Sequence, residues 1–216
     1  MSNTDRFFEE VTEELRRDRA MDALRKYGWI AVLAVLLIVG GTAWNEWRKA
    51  SAQAEAEAFG EAVLSALENN DSDARIAALG EIDATGPQQG VLQLLRAGEL
   101  LETDLAAALD AFQAAAEDNS LPDAYRQLAA LKRVMAGQGT LPLAERQTVV
   151  AGLAQPGQPF RPLALEQSAL LALEAGEAER AIEIMQDLLA QSDVSEALRQ
   201  RVTQLLISLG AETGAA

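Results

Sequence analysis

Leu163–Gln191, LALEQSALLALEAGEAERAIEIMQDLLAQ, decides the fold. Leu165, Ala169 and Ala172 share one face of a first helix, Gly176 interrupts it, and Ala181, Met185 and Leu188 return on one face of a second. Two antiparallel helices nest at short separation where a methyl replaces a larger side chain, which is the role alanine fills here. The stretch predicts a helical hairpin closed by a glycine turn.

The same arrangement recurs toward the N-terminus. Ala74, Ala108, Ala144 and Ala181, at spacings of 34, 36 and 37, each open the second helix of a pair. Four residues after each stand Ala78, Phe112, Thr148 and Met185, which this register turns toward the core. Turns follow at Gly86-Pro87, Ser120 to Pro122, Pro156-Gly157 and Ser192-Asp193. Ahead of Ala144, the residues Tyr125, Leu128 and Ala129 supply the first helix of the third pair. The spacing is the tetratricopeptide period with small insertions. Helices are expected at 46–69, 72–84, 88–101, 104–118, 122–136, 142–154, 162–175, 177–191 and 194–209. Ala, Leu, Glu, Gln and Arg dominate, and period-two runs of Val, Ile, Thr and aromatics are missing, so no strand is expected. All six prolines, Pro87, Pro122, Pro142, Pro156, Pro159 and Pro162, stand at turns or helix starts.

Ahead of the repeats lies an uncharged run, Gly28 to Trp44, GWIAVLAVLLIVGGTAW. As a helix it reaches about 26 Å, near the short limit for a bilayer core. Tyr27, Trp29, Trp44 and Trp47 stand where amphipathic rings favour the two interfaces. A buried soluble helix is the alternative, but no polar position recurs to give the run a wet face. A cleaved signal peptide is another, with Gly41-Thr42-Ala43 as its site. The 27-residue charged segment ahead of the run is long for such a leader, so a retained signal anchor is favoured. Arg16, Arg17, Arg19, Arg25 and Lys26 precede the run closely, against Arg48 and Lys49 after it, which keeps the N-terminus in the cytoplasm. Asp5 to Lys26 reads as an amphipathic helix capped by Thr4 or Asp5. Phe7, Phe8, Val11, Leu15, Met21 and Leu24 form its apolar stripe. Glu13 faces Arg16 and Arg17, and Asp22 faces Arg25 and Lys26, at helical spacing. The fold class expected is all-α: a cytoplasmic amphipathic helix over 1–27, one transmembrane helix over 28–47, and a tetratricopeptide-like α-solenoid of helical hairpins over 48–216.

Composition narrows the chemistry. The chain of 216 residues carries a formal charge of −15 and contains neither cysteine nor histidine. Disulfides, thiolate sites, imidazole ligands and Ser-His-Asp arrangements fall away together. Residues 45–216 hold 26 Asp and Glu against 12 Lys and Arg, a surface that repels nucleic acid and anionic headgroups. Close carboxylates, Asp71 with Asp73 and Glu117 with Asp118, fall at turns and helix ends, where capping is the ordinary role. The segment Asp71 to Asp83 lacks the glycine and terminal glutamate of a calcium loop. Gly137-Gln138-Gly139-Thr140 has neither the lysine nor the preceding strand of a phosphate loop. Glu174, Glu177, Glu179 and Glu183 read as a solvated helical face. No enzymatic activity, cofactor, metal or small-molecule substrate is expected.

The anchored layout with the Leu163–Gln191 hairpin resembles the tetratricopeptide-like family of YfgM, an ancillary subunit of the SecYEG translocon. The resemblance implies a single-pass protein of the bacterial inner membrane whose periplasmic domain meets exported chains and chaperones, and it brings no catalytic residues. An accessory or assembly factor of a respiratory, cytochrome or cell-envelope complex is the alternative. Two groups of residues are candidates for recognition. Arg126, Lys132 and Arg133 form a basic island in an acidic domain, able to pair with a partner's carboxylates or with acids of the domain itself. Ala31, Ala34, Gly41 and the flanking Asn45 fall on one stripe of the span that would let another membrane helix approach.

Overall fold

The computed structural model describes the backbone of residues 3–211 and the side chains of Leu33 and of residues 36–211. Among the described residues every regular element is an α-helix. These are α1 (Asn3–Leu67), α2 (Ser72–Gly80), α3 (Pro87–Thr103), α4 (Leu105–Glu117), α5 (Asp123–Ala136), α6 (Leu143–Leu153), α7 (Arg161–Glu174), α8 (Ala178–Leu189) and α9 (Glu196–Ser208). The chain divides into two compact units, one ending at Ala58 and the other beginning at Phe59.

In the first unit the helix expected over 5–26, the apolar run and the helix expected from 46 belong to one element, α1. No proline interrupts it, and isolated glycines cost only about 1 kcal/mol each in a helix interior. Thr4 and Asp5, expected as caps, already lie inside the helix. The charge pairs expected at Glu13 and Asp22, together with Ala31 and Ala34, lie outside the described side chains. Leu36, Leu37, Ile38 and Val39 are exposed by 64%, 68%, 66% and 57%. With 3.6 residues per turn, four successive positions go round the whole circumference, so the helix is apolar and uncovered on every side there. Trp44 and Trp47, one turn apart and exposed, tilt against each other with ring centroids 5.3 Å apart. Among the described residues no helix is long and apolar enough to cross a membrane. Seven side chains of the uncharged run, those of 28–32, 34 and 35, lie outside that description.

The second unit is built by sequential packing: each of α2 to α8 lies against its successor, and α3 also lies against α5. Its core is divided accordingly. Ala66, Leu79 and Leu92 join the end of α1 to α2 and α3. Leu94, Ala97, Phe112, Ala115 and Ala129 join α3, α4 and α5. Leu131, Val134, Val150, Leu153, Ala164 and Leu171 join α5, α6 and α7. Ala169, Ala172, Ala181, Met185, Leu188, Leu198, Val202 and Leu206 join α7, α8 and α9. Each of α3, α5 and α7 thus gives one edge to the cluster before it and another to the cluster after. Gly90 sets the α3 to α5 approach, since a Cβ there would come within 3.1 Å of the Tyr125 ring.

The helix ends follow their local chemistry. Asp71, Asp104 and Ser195 cap α2, α4 and α9 by accepting from the amides of Ala74, Ala107 and Leu198 at 2.8, 3.0 and 3.3 Å. Gly176 closes α7 with a positive φ of 82°. Its amide donates to the Leu173 carbonyl at 3.0 Å and the Glu177 amide to that of Ala172 at 2.8 Å, the glycine stop expected in this turn. Pro87 opens α3, Pro122 and Pro142 precede α5 and α6, and Pro162 lies in the first turn of α7.

The repeat register holds in two pairs and shifts in a third. Ala108 with Phe112, and Ala181 with Met185, are buried as expected, whereas Ala74 and Ala78 are half-buried. Ala144 and Thr148, expected at the core, are exposed instead. Burial in α4 and α8 follows i, i+4, i+7 through Ala108, Phe112, Ala115 and Ala181, Met185, Leu188. In α6 the same triplet is Arg146, Val150 and Leu153, so an arginine stands where the neighbouring pairs have alanine. The shift is permitted because α7 supplies the opposite charge.

Candidate partner-binding surface

Arg146 is only 2% exposed. Its Nη1 donates to Glu174 Oε2 at 2.9 Å, its Nη2 to Glu174 Oε1, and its Nε to the Leu141 carbonyl at 3.3 Å. Each guanidinium nitrogen has a partner, which is the condition under which a buried charge is tolerated. The bonds from Arg146 hold the Glu174 carboxyl below the ordinary glutamate range. Glu174 is exposed, as expected of a solvated helical face, and also ties α7 to α6 through Arg146. Glu177, Glu179 and Glu183 are exposed as expected. A second pair joins α7 to α9: Arg201 Nε and Nη2 donate to the two oxygens of the buried Glu166 at 2.9 Å. Those bonds to Glu166 raise the Arg201 guanidinium further above its ordinary value. Neither pair was singled out in the sequence. Arg146 carried a weak signal, since it interrupts a row of small residues at nearly the repeat spacing.

A row of polar bonds keeps a stricter period than the alanines. Gln93, Gln127 and Arg161, each in the first helix of its pair, are separated by 34 residues. Each reaches the turn after the second helix: Gln93 donates to Asp118 at 3.3 Å, Gln127 to Gln158 at 2.7 Å, and Arg161 to Gln191. Asp118 also accepts from the hydroxyl and amide of Ser120 at 2.6 and 2.9 Å. Those two bonds, with that from Gln93, hold its carboxyl below the ordinary aspartate range. The carboxylates at Asp71 and Asp118 are thus engaged in a cap and a turn. Among the described residues no group of three or more His, Cys, Asp or Glu side chains is placed to hold a metal ion.

The basic island is placed on α5 and partly tied down. Arg126 donates to Asn119 at 2.9 Å and to Asp123, and Arg133 donates to Glu145 on α6 at 2.7 Å. Lys132 is exposed and makes no ion pair with another described residue. Gly41 and Asn45 are exposed on α1, and a Cβ at Gly41 would meet nothing within 4 Å.

Two clefts flank α7. One, of about 360 Å³, lies among α5, α6 and α7 beside Met135, Gln138, Gln167 and the Arg146–Glu174 pair. The other, of about 490 Å³, lies between α6 and α8. Its floor is Val150, Leu171 and Ala172, and its α6 wall is Ala144, Gln147, Thr148 and Ala151. Glu177, Arg180 and Ile184 form the α8 wall. The residues whose exposure departs from the expected register therefore line this second cleft.

These features define a class: an all-α protein with one unit of helices packed in sequence and another formed by a long helix with an apolar, uncovered stretch. Set against family models, curated proteins and solved structures, the chain shows no match.

Proposed function

We propose that the chain is a membrane-anchored scaffold. Residues 28–47 cross a bacterial inner membrane once with the N-terminus in the cytoplasm, and a periplasmic tetratricopeptide-like domain offers protein partners a preformed surface beside it. The observation that carries this reading is the ring of exposed apolar side chains at Leu36, Leu37, Ile38 and Val39. A helix that is apolar all round needs lipid or protein cover, because it has no face to turn to water. Trp44, Trp47, Arg48 and Lys49 directly after it suit a membrane interface, where rings sit at headgroup depth and basic side chains reach outward. The segmented core and the 34-residue row of polar bonds support the repeat assignment, with the largely polar α9 as its closing helix. The resemblance to the YfgM family directs the choice of partner toward the Sec translocon and periplasmic chaperones. Anchoring then acts by raising the domain's local concentration at that machinery.

Lys132 is the residue from which to test this reading, because Arg126 and Arg133 are already engaged. A photo-crosslinker at Lys132, activated in intact membranes, is expected to capture one protein in stoichiometric yield. Recovery of lipid and abundant bystanders alone would count against a scaffold.

A further inference from the structure

We infer that a cleft between the end of α2 and α3 binds a zwitterionic α-amino acid with a neutral side chain, a property that goes beyond the scaffold reading and does not rest on it. The cleft, of about 240 Å³, lies between the loop after α2, at Ile82, Asp83 and Ala84, and the side of α3 that carries Gln89, Gln93 and Arg96. Arg96 is exposed and makes neither a hydrogen bond nor an ion pair with another described residue. In the second unit it shares that state with Lys132 alone. Arg75, Arg126, Arg133, Arg146, Arg180 and Arg201 are ion-paired, and Arg161 and Arg199 are hydrogen-bonded. Asp83, on the loop side, is exposed and equally without a partner among the described residues. A cation and an anion thus line one cleft without pairing with each other. Gly80, the last residue of α2, makes room for the guanidinium, since a Cβ there would stand 3.6 Å from Arg96 Cζ. That contact sets Arg96 against the end of α2, three residues before Asp83.

A guanidinium with its donors free takes a carboxylate through two parallel bonds, and a free carboxylate takes an ammonium group. A molecule that carries both is dipolar and has no net charge. The field of a chain with a formal charge of −15 therefore does not repel it, as it would a dicarboxylate or a phosphate. The cleft is smaller than the roughly 300–1,000 Å³ of sites for drug-sized ligands, which suits a single amino acid. The remaining polar groups of the lining are uncharged. Gln89 is half-buried and has no hydrogen bond to a described residue, whereas the Gln93 amide donates to Asp118 at 3.3 Å. Ile82, Asp83 and Ala84 make no main-chain hydrogen bond among the described residues. The Gln89 amide and the loop backbone are thus available to a polar, neutral side chain.

The test uses the purified full-length chain in phosphatidylcholine nanodiscs, or in buffer should it prove soluble. The probe is radiolabelled L-glutamine, measured by equilibrium dialysis at concentrations up to about 10 mM. Two analogues compete with it: N-acetyl-L-glutamine, which keeps the carboxylate and loses the ammonium group, and L-glutamine amide, which does the reverse. L-Glutamine is expected to bind at least about tenfold more tightly than either analogue, because each leaves one charge of the cleft unanswered. Arg96→Gln and Asp83→Asn should each weaken its binding at least about tenfold while helix content by circular dichroism stays unchanged, since both side chains are exposed and unpaired. Absence of binding overturns the proposal, as does binding that either variant leaves undiminished. Equal competition by N-acetyl-L-glutamine would make the site one for a peptide C-terminus and overturns the zwitterion, and equal competition by L-glutamine amide removes Arg96 from it. The analogues decide the matter even where a substitution disturbs folding. Loss of this site would leave the capture expected from Lys132 untouched.

Discussion

Glu166 and Arg146 are both buried charges, but they differ in what removal of the partner exposes. Arg201 is half exposed while its partner Glu166 is buried, so Arg201→Ala strands a carboxylate away from water. A loss of about 2–3 kcal/mol is expected in urea denaturation. Arg146→Met should cost less than about 1 kcal/mol, because an apolar chain of similar length replaces a desolvated charge and Glu174 can turn to solvent. Acid acts on the same contacts. Arg146 holds Glu174, and the Ser120 hydroxyl with its amide holds Asp118, below their ordinary ranges. The stability each carboxylate contributes is then fully present above the unfolded value, about 4, and is lost as pH falls through the lowered folded value. Unfolding midpoints should be flat near neutrality and fall below about pH 5, and Arg146→Met should remove part of that slope. A slope unchanged in the variant would mean that other carboxylates carry the acid sensitivity.

Alanine marked the second helix of each pair correctly at Ala108 and Ala181, where buried Phe112 and Met185 follow. The same rule misplaced α6, since Ala144 and Thr148 are exposed while Arg146 and Val150 face inward. Alanine is compatible with either side of a helix, so it reports closeness only when a bulky neighbour confirms the face. Phe112→Ala should destabilise the protein by about 3–5 kcal/mol and Met185→Ala by about 2–5 kcal/mol, whereas Thr148→Ala should change stability by less than about 0.5 kcal/mol. Chemical denaturation distinguishes these values readily. A large effect at Thr148 would restore the alanine register in α6.

For the whole molecule, the charge pattern along the chain separates an uncharged run from an acidic helical remainder. If the run spans a bilayer, Leu37→Asp and Ile38→Lys each carry a cost of about 2.5–3.5 kcal/mol at the centre of the span. The doubly substituted chain should appear in the alkaline-carbonate supernatant, while the parent sediments with membranes. A parent chain recovered in the first high-speed supernatant would end the anchored reading. The second unit should respond segmentally, because four clusters share single helices. Hydrogen exchange after Met185→Ala is expected to rise in α7, α8 and α9 well before α2 and α3.

Helix identity from α3 to α9, the turns between those helices and the placement of all six prolines were legible in the sequence, because propensity, capping and breakers are properties of adjacent residues; α2, expected to reach 84, ends at Gly80. The 34-residue row of Gln93, Gln127 and Arg161 was present in the sequence as well, but its members differ in chemistry and only their shared partners in the turns reveal it. Tertiary structure alone decided that Arg146 enters the core against the carboxylate of Glu174, and that Ala144 and Thr148 line a cleft. A charge can be buried only when its counter-charge arrives from another helix, and that meeting depends on packing rather than on local spacing.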